Sequence, residues 1–348
     1  MLALALFAAL LLGAALTERS DIYGEERPVS VRIASESDIV PPGTPRDTDL
    51  QLYDRIAERV ADGENYYAVA VEEQRARDFP VRPGLAVRLP TLAFVTAVVG
   101  QWGLYVLAAL LLGGTLVAWH YRLRDVPGGP GRLRFIMLLL VIGAVSGLKP
   151  QYLALHEVWA GMLIALSLGL YRKKRWWWAV LAGALALFVR ELALPFVLLT
   201  GALALLRGNR GEALAWGGVL VAFGIGLAVH LSLVSDYITD ADPASPGWLA
   251  LRGLGGWTAN IVLSSPLHML PGWLAAPLAL TPVIGWAGWR TKFGETGLLL
   301  CLGYGVAFMI AGRDNNFYWA LIVMPIWWVG LAFTPRALAS LWNSARGR

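Results

Sequence analysis

Two aspartates flank the start of a predicted helix in a long hydrophilic segment. Asp47 and Asp49 lie on either side of Thr48, and Thr48 with Gln51 forms the Thr-x-x-Gln pattern of a helix capping box. Acids in a first helical turn complement the helix dipole. A carboxylate can also take the proton from a hydroxyl group as its oxygen attacks an electrophile. Both interpretations stay open, and in the second Asp49 is the first candidate for the general base and Asp47 the second.

Four cations stand where apolar segments end, and they are candidate ligands of a phosphate group. Lys149 precedes Pro150, and Arg190 separates two apolar runs with almost no polar connection. The guanidinium fork matches phosphate oxygens well. Snorkelling of Lys149 to the membrane surface, or a structural ion pair of Arg190, explains these residues equally well. The candidate phosphate ligands are Arg190, Lys149, Arg313 and Arg88.

Further polar side chains, at the ends of the apolar segments or in the first loop, could line a substrate site. These candidates are His156, Glu157, Glu191, Tyr66, Tyr67 and Asn315. A membrane-edge histidine or an interfacial tyrosine is more often structural. The chain has one cysteine, Cys301, so neither an internal disulfide nor a cysteine-based metal site can form. We expect no cofactor and no metal site, although a divalent metal held by His156, Glu157 and a loop aspartate is left open.

The composition identifies the elements that must position these residues. Of 348 residues, 57% are apolar and only 15% are charged, whereas soluble domains carry about 25% charged residues. This excludes an ordinary soluble enzyme and a disordered chain. Because a bilayer-spanning helix needs roughly 20 apolar residues, the pattern predicts about ten spans. They lie near 1–16, 101–119, 134–148, 155–171, 176–190, 191–206, 212–234, 272–289, 295–312 and 317–334.

The distribution of Lys and Arg orients these predicted spans. With the N-terminus inside, the cytoplasmic loops and tail hold 15 cations, against five on the opposite side outside the first loop. This follows the positive-inside rule. The fold class is therefore an all-α polytopic membrane protein with N-terminus and C-terminus inside. The candidate site residues then all fall on the outer face, and nucleic acid is excluded as a partner because the cations have no common solvated face.

The predicted organisation has four parts. Residues 1–16 form a first span, with a cleaved signal peptide as the less favoured interpretation, and 17–100 form a large extracytoplasmic loop. Residues 101–334 form the bundle, and 335–348 a basic cytoplasmic tail. Helical spacing of apolar residues predicts helices over 49–61 and 64–77 in the loop. Short apolar stretches at 90–99 and 258–270 look interfacial, and every later segment would invert if 258–270 crossed the membrane.

The arrangement resembles the GT-C superfamily of integral membrane glycosyltransferases, including its polyprenyl-phosphate-dependent branches. Thr48-Asp49-Leu50-Gln51-Leu52-Tyr53 looks like the acidic helix start in the first outer loop of that superfamily. Arg88-Leu89-Pro90-Thr91-Leu92 is similar to its basic-proline segment that leads to the membrane, and Lys149-Pro150 and Arg190-Glu191 lie where its outer polar residues occur. The acids here form Asp-x-Asp rather than an adjacent pair, which leaves the acceptor class and metal use open.

The resemblance implies a membrane enzyme that moves a sugar from a polyprenyl-phosphate donor to a hydroxyl acceptor on a glycan, lipid or protein. The loop aspartate would be the base, and the Arg and Lys side chains would bind the lipid phosphate. Inversion at the anomeric carbon and a bacterial inner membrane with a periplasmic active site are further expectations. A transporter or flippase, or an assembly subunit for a lipid-linked glycan, is the alternative.

Overall fold

The protein is all-helical in the residues that its computed structural model describes, which are 2–21, 48–145 and 147–346. Within these residues two isolated bridges, Arg82 with Ala244 and Leu249 with Ala311, are the extended pairings. The all-α class expected from the sequence is confirmed for this part of the chain. Side chains are described for 4–16, 50–145, 147–150 and 152–346.

Two helices of the first loop form a small domain above the bundle. Helix α2 spans Thr48–Ala61 and α3 spans Tyr66–Arg75, so both loop helices predicted from apolar spacing are confirmed. Asn65 begins α3 by accepting hydrogen bonds from the backbone amides of Tyr67 and Ala68. The apolar faces of the two helices meet over Ile56 and Val69, which are 5% and 0% exposed. This burial fixes which face of α2 is left for the rest of the molecule.

A bidentate ion pair attaches the loop domain to a distant segment of the chain. Both Arg75 Nε and Nη2 donate to the Asp242 carboxylate at 2.6 Å. The Arg75 guanidinium, helped by the backbone amide of Thr239, holds the pKa of Asp242 well below its usual range. Arg82 Nε adds a hydrogen bond to the Asp242 carbonyl oxygen at 2.9 Å. The loop domain is therefore held to residues 237–245 by charge, and to the bundle by apolar contacts.

The remaining helices form the bundle. Nine of the ten predicted spans overlap a helix, whereas the predicted span 317–334 is broken into the 3₁₀ segment Asp314–Ile322, the short helix Met324–Trp327 and the 3₁₀ segment Trp328–Phe333. Helix α1 lies against α10, α11 and α14, and α6 lies between α4 and α7. The bounds are α1 Leu2–Asp21, α4 Thr91–Asp125, α5 Leu133–Val145, α6 His156–Leu170, α7 Trp177–Val189, α8 Leu194–Leu206, α9 Arg210–Ser235, α10 Gly253–Leu263, α11 Gly272–Gly288, α12 Lys292–Ile310, α13 Met324–Trp327 and α14 Thr334–Ala345. Short 3₁₀ turns join several of them, among them Pro150–Tyr152, Glu191–Ala193 and Asp314–Ile322.

Helix α4 consists of two arms that meet at Gly100. Gly100 has φ 65° and ψ 178°, a conformation that favours glycine because a Cβ atom would clash there. The break falls at the boundary predicted between the short apolar stretch 90–99 and the span that begins at 101. The first arm packs beneath the loop domain through Leu92, and the second arm enters the bundle. Helix α4 thus connects the loop domain to the bundle.

Several helices have the length and apolar surface of membrane spans. In the described residues, three stretches are long and apolar enough to cross a membrane, namely Gly84–Asp125, Arg210–Ser235 and Lys292–Ile310. The segment Asp314–Ile322 with Met324–Ala345, bent by 62°, makes up to four. Large apolar side chains on α4 and α9 face outward, such as Trp102 at 81% and Leu214 at 76% exposure. Such surface is typical of a membrane protein because lipid, not water, covers it.

Close helix contacts in the bundle depend on small residues, and Gly285 is the tightest of them. A Cβ atom on Gly285 of α11 would lie 1.7 Å from the carbonyl oxygen of Gly330. We therefore expect Gly285→Ala to force the two segments apart and to lower the free energy of unfolding by about 1–3 kcal/mol or more. Thermal unfolding of the purified protein in detergent measures this. Gly217→Ala on α9, where nothing lies within 4 Å of the added atom, is the matched control and should melt with the wild type.

Candidate functional site

A buried ion-pair network lies where α7 ends and α6 begins. Arg190 has an extended backbone (φ −150°, ψ 118°), which ends α7 and turns its side chain toward α6. Its Nε donates to Glu157 Oε1 at 2.8 Å, and its Nη1 donates to Glu191 Oε1. Arg190 and Glu157 are each 1% exposed. Charges this deeply buried must be paired, so the three side chains form one structural unit.

A second guanidinium, that of Arg88, lies beside this network and is bound mainly by tyrosines. Arg88 Nε donates to the Tyr53 hydroxyl at 3.1 Å, and Nη2 to the Tyr318 hydroxyl at 3.4 Å. The Tyr66 hydroxyl donates to the Arg88 carbonyl oxygen at 2.6 Å. Burial raises the pKa of the Tyr66 hydroxyl well above its usual value, so it stays a neutral donor. Arg88 is thus positioned without a direct carboxylate partner among the described residues.

The two arginines belong to one electrostatic group. Glu157 and Glu191 are close enough to act on Arg88 as well as on Arg190. His156 is 4% exposed and packs edge-on against Tyr53, with ring centroids 5.3 Å apart. The positive charges of both arginines act on its imidazole ring. The two guanidinium and two carboxylate charges cancel, so the group is neutral overall. An anion that arrives next to Arg88 would meet a cation whose side-chain hydrogen bonds to the described residues go to neutral hydroxyl groups.

Two neighbouring cavities lie on the Arg88 side of this group, and Arg88 and His156 line the smaller one. The larger, about 300 Å³, lies between α2, α4 and the turn that begins at Pro150, and Asp54, Glu58 and Gln101 contribute polar groups to it. The smaller, about 40 Å³, lies deeper and is lined by Arg88, His156 and tyrosines. Both are lined by Asp54, Thr96, Leu104 and Ala154. The larger volume approaches the size of small-molecule sites, which occupy about 300–1,000 Å³.

The predicted acidic residues are positioned only by their backbone. Asp47 lies outside the described residues, and so does the side chain of Asp49, whose backbone belongs to the first turn of α2. Tyr53, which contacts Arg88 and His156, follows Asp49 by four residues in the same helix. Residues four apart occupy the same face of a helix. Asp49 therefore begins the helical face that leads to the Arg88 group.

The other predicted site residues divide into two groups. Arg88, Arg190, His156, Glu157, Glu191 and Tyr66 come together, as described. Lys149 is half-buried beside Pro150, which lines the larger cavity. Tyr67 packs against His230 instead, with ring centroids 5.5 Å apart.

The predicted loop residues Arg313 and Asn315 lie next to the turn that carries Tyr318, outside the lining of the two cavities. Asn315 is exposed. The backbone amide of Arg313 donates to Asn316 Oδ1 at 3.0 Å. Within the described residues, the buried Arg313 Nε has no hydrogen-bond partner. This loop therefore contacts the site through Tyr318, which hydrogen-bonds to Arg88.

The structure places two further side chains at the site that were not predicted from the sequence. Asp54 lines both cavities, and the Tyr318 hydroxyl accepts from Arg88. A signal for Asp54 existed, because it follows Tyr53 in an amphipathic helix that was already a candidate. No local signal marks Tyr318, because it lies 230 residues from Arg88 along the chain.

In the part of the chain that the structure describes, no group of three or more His, Cys, Asp or Glu side chains is arranged to hold a metal ion. Comparison with known proteins returned no matching family model, curated protein or solved structure.

Proposed function

We propose that this protein is an integral membrane glycosyltransferase of the GT-C type. It moves a sugar from a polyprenyl-phosphate donor to a hydroxyl acceptor on a glycan, lipid or protein at the extracytoplasmic face of a bacterial inner membrane. The proposal includes ten crossings with both termini inside, which puts the ends of α4, α6 and α7 that carry the Arg88 group on the outer side. The single observation that carries the proposal is Arg88, a half-buried cation that lines a cavity and is bound, among the described residues, by neutral tyrosine hydroxyl groups.

The donor phosphate is the group that this arrangement suits best. As the glycosidic bond breaks, negative charge develops on the departing lipid phosphate, and a fixed cation in a low-dielectric site stabilises that charge. Arg88 supplies the contact, since its hydroxyl partners can rearrange without loss of an ion pair. Arg190 acts behind it by holding Glu157 and Glu191 in place. Lys149 and Arg313 are further candidates for the rim of the same site.

The acceptor hydroxyl needs a base, because a neutral hydroxyl is a poor nucleophile. Asp49 is the proposed base, with Asp47 as the second candidate. Support comes from the position of Asp49 one turn before Tyr53 on α2. The larger cavity between α2 and α4 offers room for a sugar, and its polar groups suit hydroxyl-rich ligands. Both the donor and the acceptor would then meet beneath α2.

Replacing Arg88 by glutamine tests the proposal directly. We expect Arg88→Gln to lower transfer about 10²-fold, because one fixed donor to the developing charge is lost. The assay uses the purified full chain in liposomes with a panel of polyprenyl-phosphate sugars and hydroxyl acceptors, and it measures the glycosylated product. Arg55→Gln, an exposed arginine of α2 that pairs with Glu58, is the matched control.

Two results would refute this assignment. Transfer at the wild-type rate in Arg88→Gln would remove Arg88 from the donor site. Movement of labelled lipid-linked sugar across the liposome bilayer, with no transferred product for any donor, would identify a flippase instead.

A further inference from the structure

A separate cavity of about 250 Å³ lies at the opposite end of the same helices. Helix α6 begins at His156 in the candidate site and ends near this cavity, which Ser167 and Tyr171 line. Fifteen helical residues span about 22 Å. The cavity is also bounded by the last turn of α4, the end of α8 and the first turns of α9 and α12. It is thus independent of the cavities around Arg88.

Positive charge dominates the lining of this cavity. Its cations are Arg122, Lys173, Arg207 and Lys292. The one carboxylate in the lining, Glu212, already accepts hydrogen bonds from the Tyr171 hydroxyl at 3.2 Å and Asn209 Nδ2 at 2.7 Å. At the rim, Arg207 Nη2 lies 3.6 Å from the exposed Glu295 carboxylate. Four cations against one satisfied carboxylate leave a net positive cavity.

Arg122 is the cation of this cavity that a bound anion would stabilise most. Its guanidinium carbon lies 5.3 Å from the ring centroid of Tyr171 and 4.9 Å from that of Phe293, so aromatic rings hold it in place. Within the described residues its buried Nε atom has no hydrogen-bond partner. Leaving such a donor unsatisfied costs free energy, more so for a charged group. An anion in the cavity would satisfy it.

A second arginine is already set in position beside the cavity. Arg207 Nη2 donates to the carbonyl oxygen of Lys292 at 3.1 Å and to the Thr296 hydroxyl at 3.2 Å. These neutral contacts restrict the side chain, so less conformational entropy is lost when it binds an anion. Lys173 and Lys292 are exposed at the mouth, where they add long-range attraction.

Part of the cavity lining is apolar. Phe196, Leu203 and Trp216 contribute to it together with Leu168. An inorganic anion uses only the cationic part of the lining, whereas an amphiphile uses both parts. Phosphate fits the arginine forks by its geometry, since each guanidinium can bind two phosphate oxygens. The combination of fixed cations and apolar lining suits the headgroup and first methylenes of a phosphate-bearing lipid.

We propose that this cavity binds a phosphate monoester anion, through Arg122 and Arg207, at the face opposite the candidate catalytic site. The ligand chemistry has two sources, an anionic lipid headgroup or a free phosphate. This site goes beyond the proposed glycosyl transfer and does not depend on it.

The test is a binding titration of the delipidated full chain in neutral detergent, followed by native mass spectrometry. The probes are dioleoyl phosphatidic acid, dioleoyl phosphatidylcholine and inorganic phosphate. We expect saturable binding of phosphatidic acid in preference to phosphatidylcholine, weakened about tenfold or more in Arg122→Gln. Lys174→Gln is the matched control, because Lys174 is an exposed neighbour of Lys173 outside the cavity lining. It should bind within about twofold of the wild type.

The titration separates the two sources and can overturn the proposal. Displacement of phosphatidic acid by millimolar inorganic phosphate would identify a free phosphate site, and failure of displacement would identify a lipid site. Equal binding of phosphatidic acid by Arg122→Gln and wild type, or absence of binding for every probe, would refute the site. If Arg122→Gln does not fold, the exposed Lys292→Gln decides, with binding weakened under the proposal and unchanged without it.

Discussion

Asp49→Asn is expected to lower sugar transfer by about 10²–10⁴-fold, the contribution typical of a positioned general base. The amide keeps the size of the side chain but cannot accept the proton of the attacking hydroxyl. Asp49 begins the face of α2 on which Tyr53 contacts both Arg88 and His156. The measurement is transfer by the purified protein in liposomes, alongside its thermal unfolding, which should match that of the wild type.

Two further variants make the Asp49 result specific. Asp62→Asn, at an exposed position just after α2, should leave transfer unchanged. Asp54→Asn alters the carboxylate that lines both outer cavities and tests whether that group replaces Asp49 as the base. Wild-type transfer by Asp49→Asn would exclude Asp49, and the base would then be sought at Asp54, Asp47 or Glu157.

Arg190→Met is expected to lower the free energy of unfolding by about 3–5 kcal/mol, the largest stability effect that we predict. The substitution leaves the Glu157 carboxylate, 1% exposed, without its partner at 2.8 Å. The free-energy cost of an unpaired charge at that depth is larger than the net stabilisation that the ion pair provided. Thermal or denaturant unfolding in detergent measures the loss. Arg55→Met provides a comparison, because the side chains of Arg55 and its partner Glu58 are 53% and 64% exposed and tolerate the loss of the pair.

A double variant separates the structural role of Arg190 from its role in the site. Arg190→Met combined with Glu157→Leu removes both charges and keeps apolar volume, so most of the lost stability should return. Under the proposed function, transfer stays low in the double variant, because Glu191 is no longer held beside Arg88. Recovery of transfer together with stability would make the pair purely structural. Unfolding of Arg190→Met at the wild-type temperature would contradict the burial argument itself.

Local patterns in the sequence were enough to predict most of the helices. Apolar residues at helical spacing identified α2 and α3, and long apolar runs identified most helices of the bundle. The predicted span 317–334 is broken into short segments instead, and most of the predicted tail 335–348 is helix α14. The Arg190-Glu191 pair marked the boundary between two apolar runs, which is where α7 ends and the turn Glu191–Ala193 begins. These features depend on residues close together in the chain, because hydrogen bonds and side-chain periodicity within a helix are local.

Partners across helices could not be derived in the same way. The sequence left open whether Arg190 pairs within its own turn or with a neighbouring helix, and the structure places it against both Glu191 and Glu157. Many packings satisfy the same apolar pattern, and an ion pair between helices depends on which faces meet. The approach of Tyr318 to Arg88 has the same origin, since the turn that carries Tyr318 packs against α6.

By itself, the sequence determined that the chain is helical and apolar, and that its uncompensated polar residues collect at the ends of helices. It did so because charges are costly within an apolar helix and because each helix is defined by its own residues. Only the tertiary structure decided which ends meet. It joined Arg88 to two tyrosines from distant segments, and it closed a second, cationic cavity around Arg122. Both depend on side-chain packing between helices, which the spacing of residues along one chain does not encode.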